Sequence, residues 1–134
     1  MPTDLQPSSL SNVLLWTARI ITGLVVLFLA FDGVAKIIKV APVLEACEKL
    51  GIPPHTIVGI GVLLLVCTAI YSVPQTAVLG AILLTGYLGG ATAIHLRAGS
   101  GAFPIAFSIT FGVLAWVGLV LREPRLLWTI LLRQ

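Results

Sequence analysis

VLLWTARIITGLVVLFLAFDGVAKIIK, Val13 to Lys39, is the stretch whose reading decides the fold. From Ile20 to Phe31 it holds no ionisable side chain; Arg19 stands before that run, and Asp32, Lys36 and Lys39 follow it. At the rise of an α-helix, Val13 to Phe31 reaches roughly 28 Å, close to the ~30 Å hydrocarbon thickness of a bilayer. The stretch therefore predicts a membrane-spanning helix with its charges at the two boundaries.

Outward from it, the chain repeats the pattern. No Asp, Glu, Lys or Arg occurs from Leu50 to Leu96 or from Ala98 to Leu121. The whole is 58% hydrophobic and 10% charged, with a mean hydropathy of +1.10, whereas soluble domains carry about a quarter charged residues. Backbone in lipid satisfies its own hydrogen bonds only as helices or as a closed barrel. Barrel strands alternate polar and apolar positions, and these runs are apolar on every side. The expected class is all-α: a polytopic membrane protein of four transmembrane helices in an antiparallel bundle, spanning about 13–36, 55–73, 75–96 and 103–121.

Residues 1–12 read as an exposed N-terminal tail, with a cap at Ser11 or Asn12. That tail has no Lys or Arg and the apolar run after it is long, so the first helix is expected to stay uncleaved. Val40 to Pro54 is the one sizeable polar connection, with room between its prolines for a short helix ending at Gly51. Pro74 marks a tight turn between the second and third spans. The third span is rich in small residues, and Gly86 with Gly90, like Ser108 with Gly112 in the fourth, has the small-xxx-small spacing of close helix packing. Residues 122–134 read as an interfacial helix or an extension of the fourth span.

The net charge of +3 is scattered, with no basic cluster for nucleic acid. Cys47 and Cys67 form neither a C-x-x-C motif nor a metal-ligand pattern with His. Both read as packing residues, and no metal site and no disulfide are expected.

Four spans bring the end of the first helix, the start of the second, the end of the third and the start of the fourth to one membrane face. That loop face collects Asp32, Lys36, Lys39, Glu45, Glu48, His55, His95 and Arg97. Asp32 is the informative one, because a short carboxylate is costly in lipid unless paired, and Lys36 stands four residues on. A structural ion pair and a functional site are both open readings. Histidine changes charge near physiological pH, which makes His95 a candidate proton carrier or ligand. Asp32, Lys36, His95 and Arg97, the last as an anion contact, are the primary candidates for a ligand or proton site. Arg19, His55 and Glu45 are secondary ones, Arg19 either snorkelling or turned into the bundle. Lys and Arg near the spans number four on each face, so orientation rests on the general preference of small membrane proteins for cytoplasmic termini.

The series Arg19, Gly23, Gly33, Lys36, the LGIPP of Leu50–Pro54 and the HLRAGSG of His95–Gly101 resemble the DoxX-like membrane proteins over most of Arg19 to Leu121. The resemblance implies a four-helix integral membrane protein of the cell's inner (plasma) membrane. Its relatives take their name from a subunit associated with quinol and thiosulfate oxidation. Two functions are carried forward. One is a non-enzymatic accessory or assembly partner of a membrane complex, bound to another membrane protein or to a second copy of itself. The other is a quinone-linked subunit with a polar site at one face, holding a lipophilic small molecule; no other cofactor is evident.

Overall fold

The first span is the longest helix. In the computed structural model, which describes residues 5–126 and 129, α1 runs Leu5–Ile37. It passes through Ser11 and Asn12 without ending, so neither caps it and residues 5–12, read as tail, are helical. Pro7 lies in the first turn, where the missing N–H has no intrahelical acceptor to lose. Residues 1–4 of the expected tail, and most of the expected interfacial segment including Trp128 and Arg133, lie outside the described residues.

After α1 the chain turns at Lys39 (φ 55°) into α2, Ala41–Lys49, the short helix foreseen in the polar loop. Pro42 stands in its first turn. Gly51 (φ 74°) ends it: its N–H bonds the carbonyl of Glu48 and that of Ile52 bonds Cys47, a pair of bonds that satisfies the terminal carbonyls. A 3-10 turn at Pro54–Thr56 leads into α3, Ile57–Ser72. A second such turn, Pro74–Thr76, carries the Pro74 reversal into α4, Ala77–Ala98, and Gly99–Gly101 leads into α5, Ala102–Arg122.

Ser11–Ile37, Pro54–Ser72, Pro74–Ala98 and Ala102–Arg122 are long and apolar enough to cross a membrane. Large apolar side chains such as Leu27 (70% exposed) and Phe31 (72%) cover the outside, a surface suited to lipid. In-span hydroxyls turn back on their own helices: Thr68 donates to the carbonyl of Leu64, Thr85 to Ala81 and Thr92 to Leu88.

The four spans form a square in which α1 packs on α3 and α5, and α4 packs on the same two. Their packing is lopsided along the membrane normal. The buried core comprises Val25, Leu29, Leu64, Cys67, Tyr71, Ala81, Leu84, Ala115 and Leu119, which places it toward the terminal face. There α4 meets α3 at backbone distance: a Cβ on Gly80 would lie 2.3 Å from the N and Cα of Tyr71. A similar approach joins α1 and α3, where a Cβ on Gly61 would lie 2.8 Å from the carbonyl oxygen of Gly33. Gly86 and Gly90, expected to pack, do not: a Cβ at either meets nothing within 4 Å. Nor is Gly112 tight, its nearest neighbour being Leu88 at 3.8 Å, while Ser108 is buried. Small residues at that spacing permit close approach without requiring it.

Candidate functional site

A cavity of about 510 Å³ lies in the loop half of the bundle. α1 lines it with Phe28, Leu29, Asp32 and Lys36; α3 adds Ile60 and Leu63, and α5 adds Phe107, Ser108 and Phe111. α4 supplies Gly86, Tyr87, Gly90, Ala91 and His95. α2 and the residues after it close the loop-face end with Val43, Cys47, Leu50 and Ile52. A void of this size suits a small molecule, and its wall is apolar apart from a few groups near the membrane boundary.

Three of the four primary candidates meet there. Asp32 and Lys36 form an ion pair one helical turn apart, with the Lys36 side chain 15% exposed and that of Asp32 35%. Lys36, and not His95, is therefore the cation that serves the carboxylate. His95 lines the same cavity, held one turn from the end of α4 where the Ser100 N–H bonds its carbonyl. Its Nδ1 is buried and has no hydrogen-bond partner among the described residues. A buried imidazole nitrogen with no partner in the wall is free to bond a polar atom of a guest in the cavity.

Arg97, the fourth candidate, is exposed and does not line the cavity. His55 and Glu45 are likewise exposed and outside it. Arg19 is exposed on α1, its guanidinium 5.5 Å from the centre of the Trp16 ring, and is not turned into the bundle.

Several cavity groups went unforeseen in the sequence. Phe28 packs against Phe107 (5.1 Å between ring centres) and Phe111 (4.7 Å), and these two stack on each other at 4.7 Å. The α5 half of this aromatic wall was visible as Phe103, Phe107 and Phe111 at intervals of four, one helical face. Tyr87 had no such signal. Cys47 is buried against the cavity, and both cysteines are free. Burial raises the Cys47 thiol above its ordinary pKa, with Lys36 opposing and Asp32 adding to the shift.

At the other end of the bundle lies a polar cluster. The Tyr71 hydroxyl donates to the carbonyl of Ala115 at 2.6 Å, and Arg122 Nε donates to that of Gly118 at 3.3 Å. The Arg122 guanidinium sits 5.8 Å from the Tyr71 ring centre. Gly118 makes room for the Thr22 hydroxyl, which a Cβ there would approach to 2.7 Å. The Tyr71 bond ties α3 to α5, while Thr22 of α1 packs beside Gly118 with its hydroxyl buried and unpartnered among the described residues.

Among known proteins, the family model described as the DoxX-like family matches residues 20–118. Comparison with curated proteins and with solved structures finds no match.

Proposed function

The chain belongs to the DoxX-like family, and from that premise and the cavity in its loop half we propose that it is a non-enzymatic membrane subunit that holds a lipophilic ring compound of quinone type for a partner complex. The observation that carries this reading is the combination, in one cavity, of an aromatic wall at Phe28, Phe107 and Phe111 with the Asp32–Lys36 pair and His95. A quinone head is a flat apolar ring with carbonyl oxygens at its edge. Aromatic side chains match its faces; an N–H of the His95 imidazole and the Lys36 ammonium are donors of the kind its oxygens accept. The ion pair keeps the ammonium compensated while the cavity is empty. In this reading the termini face the cytoplasm and the protein resides in the cell's inner membrane.

The experiment is titration of the purified protein, in mild detergent, with a benzoquinone lacking any tail, followed by tryptophan and tyrosine fluorescence. Saturable binding that weakens about tenfold in His95→Ala, a loss matching one hydrogen bond to a buried group, is the expected result. Unsaturable signal, or equal affinity in wild type and His95→Ala, overturns the reading.

A second reading, a subunit docked to another protein, is favoured by the open strip of α4 at Gly86, Gly89 and Gly90, where no Cβ would meet a neighbour within 4 Å. Stoichiometric copurification of one protein from native membranes, with no quinone, selects it.

A further inference from the structure

Several cavity residues also belong to the outer surface of the bundle. Leu63 lines the cavity yet is 54% exposed. Gly86 and Gly90 line it and are exposed too, with open space where their side chains would be. All three lie on α3 and α4, the two helices that meet at backbone distance at Gly80 and Tyr71. The opposite seam between α1 and α5 is filled by the Phe28, Phe107 and Phe111 rings. At the loop face the cavity is covered by α2, which lies between two backbone corners of left-handed conformation at Lys39 and Gly51. Along the α3–α4 seam the two glycines leave open space, whereas the α4–α5 seam forms a groove of its own that shares Leu88 and Ser108 with the cavity.

Depth decides what this opening faces. Gly86 precedes His95 by nine residues, roughly 13 Å along α4, and Gly90 by five, roughly 7 Å. The polar groups are thus near the membrane boundary, whereas the gap lies toward the middle of the hydrocarbon layer, where only chains of methylene or isoprene units are at hand.

We infer that the cavity opens sideways into the bilayer through a window between α3 and α4 at Gly86 and Gly90, and that its ligand is a long-chain amphiphile drawn from the membrane. Its head lies against Asp32, Lys36 and His95, and its hydrocarbon tail leaves over the two glycines. This rests on the reading of the cavity as a ring-binding site and adds to it the route and the tail.

The test uses two probes on the full chain in lipid nanodiscs: a benzoquinone without a tail, and the same ring with a decyl tail ending in a photoactivatable diazirine. After illumination, labelled residues are mapped by mass spectrometry. The window predicts adducts on Ile60 and Leu63 of α3 and on residues 86–90 of α4. It also predicts that Gly86→Leu and Gly90→Leu weaken the tailed probe about tenfold, by displacing a few methylenes from apolar contact. The tail-less probe is titrated against both variants in parallel, and a loss confined to the tailed probe marks the window, whereas an equal loss of both probes overturns it. Adducts on α2 or on the α1–α5 seam, or undiminished binding of the tailed probe by both leucine variants, overturn the window while leaving the ring site standing. Failure of the tail-less probe to bind wild type removes the ring site and the window with it.

Discussion

Two glycine-to-alanine substitutions in the same helix should have opposite effects. At Gly80 the new methyl carbon would fall 2.3 Å from two backbone atoms of Tyr71, and ordinary carbon contacts lie near 3.5–4.0 Å, so α4 must retreat from α3 by about 1 Å or more. Backbone cannot rotate out of the way as a side-chain tip can. Overpacking of this kind costs about 1–3 kcal/mol, occasionally more. Tyr71 is fully buried and donates to Ala115 on α5; disturbing that bond adds about 1 kcal/mol. Gly80→Ala should therefore lose about 2–4 kcal/mol. Gly86→Ala meets nothing within 4 Å and replaces the poorer helix former with the best, a gain of up to about 1 kcal/mol. The assay is thermal unfolding in mild detergent, read by a fluorophore reacting with Cys47 and Cys67, both buried and free in the folded state. Equal melting temperatures for the two variants, or a greater loss at Gly86, would refute the account of a bundle tight at one end and hollow at the other.

Asp32→Asn leaves the largely buried Lys36 ammonium without its carboxylate and should destabilise by about 1–3 kcal/mol; adding Lys36→Met should recover most of that loss, and a double variant no better than Asp32→Asn denies the pair a structural role. Burial raises the Cys47 thiol pKa, so the folded state holds that proton more tightly than the unfolded chain. Its contribution is complete below the ordinary thiol pKa and falls as pH rises through the raised one; the difference in unfolding midpoint between wild type and Cys47→Ala, set at neutral pH by lost packing, should change only in alkaline solution, and a difference that already changes between acid and neutral pH contradicts it. For topology, single cysteines placed at Gln75 in a background free of native cysteine should label from one side of the membrane and those at Glu48 and Ser100 from the other; labelling of Gln75 and Ser100 from one side sinks the four-span bundle.

Much of this architecture is legible without coordinates, for a definite reason. Lipid leaves the backbone few options, so uncharged runs such as Leu50 to Leu96, broken by Pro74, specify helices and a reversal almost by elimination. The start of α1 was less legible: polar residues 5–12 look like a tail, yet they continue a helix already paid for by its apolar stretch. The meeting of Asp32, Lys36 and His95 also follows from topology, because helices running the same way end at the same depth. Arg97 fails to join them although it is only two residues from His95, a rotation that turns it to another side of α4. The cavity itself was hidden. Spacing at Gly86 and Gly90 says that no side chain stands there, and the same absence serves a tight helix contact or an empty space. Which one results depends on where α3 lies, and that is set by Gly80 beneath Tyr71.

The Gly80–Tyr71 contact has a consequence for how the protein tolerates change. Because the close α3–α4 contact lies at the terminal face and the cavity in the loop half, substitutions at Ile60, Leu63 or Ala91 of the cavity wall leave that contact untouched, while the Gly33–Gly61 approach holds α1 against α3 beside the cavity. Selectivity for one guest over another can then drift by single steps while the fulcrum at Tyr71 stays fixed.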